Sequence, residues 1–382
     1  MENQYLKTHN TIKESSLFGR YISLNHIEDL IRSCAEFSEL EFLGFSELNA
    51  PIYNLTFGNG PLKVLMWSQM HGNESTTTKA VMDLLNWLKQ DNSIVKSLLE
   101  SLTISVIPML NPDGAEAYTR INANKEDLNR DAQNLTQRES NVFNAYLNRF
   151  KPNFCFNLHG QRTIFSAGAT NNPATLSFLA PAYNTDREIN NIRKQSMRLI
   201  ASVNEVLQTI ISNQVGRYDD GFNVNCLGDT LTMLDIPTIL FEAGHYKDDY
   251  NREEVRRFTF VAILEMLFSI KNNVQDNFNH ELYFNIPENQ KLFCDVLIQN
   301  ALIKDEICDI EIIFKEILIN KELVFLPKVE KITKSSEKHA HYYLEANSNE
   351  VLTNNGLMIF EGYENDEIQI NFENYSLNSL II

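Results

Sequence analysis

The sequence of 382 residues predicts an α/β fold, with a mixed, largely parallel sheet between helices and a small β-rich unit appended at its C-terminal end. Short apolar runs read as strands buried on both faces, and stretches with helical spacing lie between them. After about residue 280 the texture changes to shorter alternating runs, the period of strands with one wet face. The length exceeds the roughly 100–200 residues usual for one domain, so two units are expected, a larger α/β one over 1–280 and a β-rich one over 281–382.

The first run, 62–69 (LKVLMWSQ), follows the turn signal Gly58-Asn59-Gly60-Pro61 and stops at Met70-His71-Gly72. From Glu74 to about Lys89 the apolar residues Ala80, Val81, Leu84, Leu85 and Leu88 recur at three and four, which predicts a helix. A second strand, 102–110 (LTISVIPML), ends at the turn Asn111-Pro112-Asp113-Gly114, and a third, 154–158 (FCFNL), ends at His159-Gly160. Ile189, Ile192, Met197, Ile200, Val203, Leu207 and Ile211 give 187–213 helical periodicity. A further strand at 236–241 (IPTILF) leads into Glu242-Ala243-Gly244, and a last helix is expected over about 251–271. Beyond it, 312–319, 322–326, 341–345 and 367–372 read as strands of the smaller unit. In open α/β sheets ligands gather at the carboxyl ends of the strands, where His71, His159 and Glu242 all fall.

Hydrophobic residues at 43% and charged residues at 22% support a sizeable core. A net charge of -17 repels nucleic-acid phosphates and anionic lipid, so neither is an expected partner. Five cysteines with scattered spacings and no CxxC pair fit a reducing compartment. No apolar leader follows Met1 and no stretch approaches 18 uninterrupted apolar residues, so the expectation is a cytoplasmic protein without a membrane span.

His71 and Glu74 stand three residues apart at a strand-to-helix joint, a spacing at which both can face one metal ion. His159 sits at another strand end. Taken singly, each is as readily a surface or core residue. Together, two histidines and one carboxylate with an open fourth position are the ligand set of a catalytic zinc. Metal-assisted hydrolysis still needs a base, and Glu242, followed by the small residues Ala243 and Gly244, is the candidate, its carboxylate facing an open cleft.

The most specific stretch is Arg120-Ile121-Asn122-Ala123-Asn124 followed by Asp127-Leu128-Asn129-Arg130-Asp131. With His71–Glu74 and Asn111–Gly114 upstream and His159 downstream, it resembles the zinc carboxypeptidase superfamily of the pancreatic carboxypeptidase A type, over roughly residues 40–270. The resemblance implies zinc on His71, Glu74 and His159, with Glu242 as general base and then acid. It also implies that Arg120 polarises the scissile carbonyl and that Asn129 and Arg130 grip a substrate carboxylate. Asp127 would orient the first zinc histidine. The family's mobile tyrosine has its nearest counterpart in Tyr218, and Asp229 or Thr230 would fall near the specificity pocket. His339 and His341, in the β-rich unit, receive no function.

A second branch of the superfamily, amide deacylases similar to aspartoacylase and succinylglutamate desuccinylase, stays open as an alternative. The short interval from Glu74 to His159, the Glu242-Ala243-Gly244 context and the β-rich extension lean towards it, whereas Asn111–Gly114 is the peptidase form of that turn. A binding protein that has kept the fold and lost catalysis is a third reading, and its mark would be a missing ligand or base. The substrate expected is a peptide or N-acyl amino acid with a free carboxylate.

Overall fold

Alternating burial on two faces determines which apolar runs become central strands. The computed structural model describes residues 4–381, and its first large sheet is built from β1 (Glu39–Phe45), β2 (Pro51–Phe57), β3 (Leu62–Ser68), β4 (Leu102–Ile107) and β5 (Phe154–Gly160). After the two-residue β6 (Ser166–Ala167), β7 (Leu176–Leu179), β8 (Val215–Arg217) and β9 (Thr238–Ala243) complete it. The order is β1-β2-β4-β3-β5-β9-β7-β8. The centre, β4-β3-β5-β9, is parallel, while β1, β2 and the β7–β9 pairing are antiparallel.

Val64 and Met66 of β3 enter one hydrophobic cluster while Leu65 and Trp67 enter the cluster on the other face. A strand covered on both sides has no solvent face, so its sequence is continuously apolar. The helices doing the covering are α1 (Gln4–Ile12), α2 (Leu24–Ser33), α3 (Thr76–Leu88), α4 (Ser93–Ser101), α5 (Pro112–Glu116), α6 (Arg138–Phe150), α7 (Asn191–Gln208), α8 (Leu227–Met233) and α9 (Glu253–Asn272). Helices α3, α7 and α9 pack together on the first face, and α6 and α8 contribute Phe143, Leu147 and Leu231 to the second. The expected helix over 187–213 is shorter: Asn190 caps its start by accepting the Arg193 N–H, and α7 ends at Gln208. Helix α9 begins where Asp249 accepts the N–H groups of Glu253, Glu254 and Val255. No helix among the described residues is long and apolar enough to cross a membrane.

The remaining strands are β10 (Asn289–Gln290), β11 (Phe293–Ile303), β12 (Glu306–Ile319), β13 (Glu322–Thr333), β14 (His339–Glu345), β15 (Val351–Thr353), β16 (Glu367–Ile370) and β17 (Glu373–Ser376). They form a four-stranded sheet, β13-β12-β11-β14, and a three-stranded one, β15-β16-β17, while β10 pairs with β6. Tyr283 and Ile286 still belong to the main core. The second core starts with the strands that follow, around Val296, Ile310, Ile312 and Ile368. The two parts are locked by polar contacts: Arg20 with Glu316 at 2.8 Å, the Tyr250 hydroxyl donating to Asp295 at 2.6 Å, and His341 Nε2 2.9 Å from the Thr163 carbonyl.

Beneath the first face Asp83 is wholly buried. Its carboxylate takes two bonds from Arg256 at 2.6 and 2.7 Å, lies 2.8 Å from His9 Nε2 and accepts the Glu14 N–H at 2.7 Å. Removing one partner of such a pair leaves an uncompensated buried charge, costing about 3–5 kcal/mol. Asp83→Ala is therefore expected to lose roughly that much in reversible denaturant unfolding; a loss under about 1 kcal/mol would show that Arg256 finds other partners.

Candidate active site

The His71 joint is shaped by two tight contacts. At Gly72 a Cβ would lie 1.9 Å from the Gly114 carbonyl carbon, so only glycine lets the loop settle against α5. Asn111 fixes α5 in turn: its side chain accepts the Gly114 N–H at 2.9 Å and donates to the Met70 carbonyl at 3.2 Å. The Asn-Pro-Asp-Gly turn is thus a helix cap that carries the histidine loop, with Asp113 accepting from Ser46 Oγ and the Leu48 N–H.

His71, Glu74 and His159 converge, with one ligand atom from each lying within 4.8 Å of the others. His71 Nδ1 is 2.8 Å from Glu74 Oε1, His159 Nδ1 is 2.9 Å from Glu74 Oε2, and the two Nδ1 atoms are 3.0 Å apart. The Gly160 N–H donates to Glu74 Oε2 at 3.0 Å. Two imidazole lone pairs and a carboxylate facing one point can share few protons, whereas one cation would meet all three, so the donor set fits zinc. Asp127 Oδ1 lies 3.1 Å from His71 Nε2, the placement that fixes the imidazole with Nδ1 turned inward.

Burial works against charging His71, yet the Glu74 charge and the bonds to Asp127 and Glu74 outweigh it and raise the imidazolium pKa. Burial dominates at His159 and lowers its pKa. Glu74 would be raised by burial, but the two imidazoles hold it far below the carboxylate range.

Glu242 lies beside His159 across the β5–β9 ladder, off the tripod. Burial first, and the Glu74 charge second, push its pKa well above the ordinary glutamate value, while one of its oxygens has no hydrogen-bond partner. The small residues after it serve packing rather than openness: a Cβ at Gly244 would meet the Ala174 carbonyl at 2.0 Å.

Arg120 reaches the tripod, bonding Asp127 Oδ2 at 3.0 Å and approaching Glu74 Oε1 at 3.5 Å. The loop between them is closed by Asn122, whose side-chain oxygen accepts the N–H groups of Asn124 and Glu126. Asn129 is buried and accepts the Leu227 N–H at the start of α8, while the exposed Arg130 donates to the Asn129 carbonyl and to Cys226 Sγ. His71, Glu74, Arg120, Asn129, Arg130, His159 and Glu242 line one cleft, of about 790 Å³, with Tyr218 packed against Phe165 in its wall.

Asp229 and Thr230 are not among the cleft residues. The Asp229 carboxylate accepts the backbone N–H groups of Ala182 and Asn223, joining two loops, and burial raises its pKa to about 6. Nothing in the local sequence signals that Ile313–Glu316, Lys328 and Glu330 of the C-terminal sheet form a wall of the cleft, or that Arg20, Tyr118, Arg162 and Arg252 line it. His341 packs on His245 and Phe293 at the junction of the two parts, and His339 also stacks near Phe293.

The zinc carboxypeptidase profile matches residues 24–211. Probable carboxypeptidase 2 of Arthroderma benhamiae is 32% identical over 113 residues, 29% of this chain and 21% of its own length. Carboxypeptidase SOL1 of Arabidopsis thaliana is 25% identical over 194 residues, 45% of this chain and 39% of its own. The chain thus spans well under half the length of these curated relatives. Among solved structures, the metallo-carboxypeptidase of Burkholderia cenocepacia superposes with a TM-score of 0.54 at 15% identity, over 66% of this chain and 70% of that one. That of Pseudomonas aeruginosa, in complex with (2-guanidinoethylmercapto)succinic acid, gives 0.52 at 16% identity over 65% and 69%. The fold is a carboxypeptidase fold, and the chain belongs to the zinc carboxypeptidase superfamily.

Protons and metal compete for the same nitrogens. Because the His71 pKa is raised in the metal-free protein, zinc affinity is expected to fall with decreasing pH from a point above the ordinary histidine value of about 6.5. Competitive titration with a chelating indicator across pH 5.5–8.5 measures it. His71→Ala and His159→Ala should each lose stoichiometric binding; retention in both would place the metal elsewhere.

Proposed function

We propose that the protein is a zinc metallocarboxypeptidase that hydrolyses the amide bond beside a substrate's terminal carboxylate. The observation that carries the reading is the convergence of His71, Glu74 and His159 with Glu242 on the neighbouring strand and Arg130 in the same cleft. Residues 1–280 would supply the chemistry and 281–382 part of the cleft wall. The five cysteines are free thiols, in keeping with the cytoplasmic setting that belongs to the same proposal.

Zinc held by the tripod would supply Lewis acidity at the scissile carbonyl and a water made acidic enough to attack at neutral pH. The Arg130 guanidinium, a planar fork suited to a carboxylate, would fix the substrate's C-terminus, with the Asn129 amide beside it. Arg120, half exposed over the tripod, would donate to the carbonyl oxygen as it gains charge. Glu242 would accept a proton from the attacking water and pass it to the amine nitrogen as the C–N bond breaks, leaving a shortened acid and a free amino acid. A raised pKa suits that exchange, since the same carboxyl must release the proton it has taken. Tyr218, in the cleft wall, would close on the bound residue. The matching relatives are named carboxypeptidases, which sets the peptidase reading ahead of the acyl-amino-acid one.

Glu242→Gln should keep full zinc occupancy and lose about 10²–10⁴ in kcat on a free-acid peptide; near-normal turnover would place the base elsewhere. Arg130→Ala should lose about 10- to 100-fold in kcat/KM on the acid and change little on the matching C-terminal amide, which offers no carboxylate. Equal wild-type rates on acid and amide would contradict the carboxylate anchor.

A further inference from the structure

The chain carries a net charge of -17, yet its cleft presents Arg120, Arg130, Arg162, Lys315 and Lys328, beside the exposed carboxylates of Asp219 and Glu330. Four of the five already have a partner. Arg120 bonds Asp127, and Arg130 bonds the Asn129 carbonyl and Cys226. Lys315 meets both oxygens of Glu364 at 2.8 and 2.9 Å, and Lys328 lies 3.4 Å from Glu330. Arg162 alone among these five has no hydrogen bond or ion pair with any described residue, although it is exposed and lines the cleft.

Its backbone is held on both sides. The preceding Gln161 is buried: its side chain donates to the Ala174 carbonyl at 2.6 Å and its own carbonyl accepts from Arg252 at 3.1 Å. The following Thr163 is buried too, its carbonyl 2.9 Å from His341 of β14. A guanidinium is thus presented from a fixed stretch three residues past His159, where the catalytic sheet meets the C-terminal one. Arg130 stands instead beside Cys226 at the start of α8.

We propose that Arg162 reads an acidic side chain on the acyl side of the scissile bond, so that the favoured substrates are peptides with Asp or Glu before the C-terminal residue. The inference rests on the carboxypeptidase reading. A substrate with its terminal carboxylate at Arg130 runs its acyl portion past the tripod towards the C-terminal sheet, where Arg162 waits without a counter-ion. In a strongly acidic protein, an unpaired cation there also gives an anionic peptide a local attraction at the cleft.

The test uses zinc-loaded full-length protein and acetylated tripeptides in matched pairs, Glu or Gln in the penultimate position, across several C-terminal residues. Wild type should favour Glu about tenfold in kcat/KM, the size of one accessible charge-assisted contact. Arg162→Ala should bring the ratio to about 1, Arg162→Lys should restore part of it, and Arg162→Glu should shift preference towards a penultimate Lys. Arg149→Ala, which removes an equal charge paired with Glu41 on the far α6, should leave the ratio unchanged. Cleavage without a Glu preference, or a preference that survives Arg162→Ala, overturns this inference and leaves the carboxypeptidase reading intact. If no free-acid peptide is cleaved, and none binds in isothermal titration, both are overturned.

Discussion

The site is organised around one carboxylate held between two imidazoles. Glu74 faces His71 through one oxygen and His159 through the other, takes the Gly160 N–H as well, and is approached by Arg120. Placing these groups together requires β3 and β5 to be adjacent and parallel, so that His71 follows one strand end and His159 forms the other. It also requires a loop that turns within three residues and lies against α5 at glycine-to-glycine distance. Much of the remaining local structure keeps that convergence in place: the Asn111 cap, the Asn122-closed loop that returns Asp127 to His71, and the covered faces of β3. Electron-pair donors crowded in this way repel one another unless protons or a cation lie among them. Burial lowers the His159 pKa, whereas at His71 the Glu74 charge and the Asp127 bond outweigh burial and raise it.

The C-terminal sheet bears on the same site. Glu316 of β12 accepts from the Tyr118 hydroxyl and pairs with Arg20, joining that sheet, the segment before α2 and the Arg120 loop around one carboxylate. Arg20 is deeply buried, and the charge of Glu316 offsets the burial enough to keep its pKa raised. A contact network of this kind sets the width of the cleft, since β12 cannot move from the tripod without leaving Arg20 in a buried place without its anion. The sheet thereby shares in defining what fits above His71, Glu74 and His159.

Much of the candidate site was legible because its residues sit at strand ends, and strands covered on both faces announce themselves as apolar runs. His71, His159 and Glu242 follow three such runs, and the Asn111 turn, the Arg120–Asn124 stretch and the Asp127–Arg130 stretch keep a recognisable order. The outer strands β1 and β2 were not read. β1 has little burial to impose a pattern, and β2 sets Asn54 among its apolar residues, bonding Tyr146 of α6 and Ser105 of β4. Asp229 falls near the expected specificity pocket by sequence position; its carboxylate instead accepts the N–H groups of the nearby Asn223 and the distant Ala182, and nothing local predicts the second. The cleft wall from β12 and β13, and the open valence of Arg162, depend on how two sheets dock. Periodicity is blind to that.

The most direct measurement of the account is the coordination shell of the metal itself, by X-ray absorption spectroscopy at the zinc edge on protein loaded with one equivalent. Two imidazole nitrogens at about 2.0–2.1 Å with oxygen neighbours at about 2.0–2.2 Å, and no sulfur, is the shell that His71, Glu74 and His159 predict. The nitrogen contribution should fall in His159→Ala. A sulfur scatterer near 2.3 Å, or a shell unchanged in that variant, would contradict it, because the metal would then lie on other residues and the convergence around Glu74 would have no catalytic meaning.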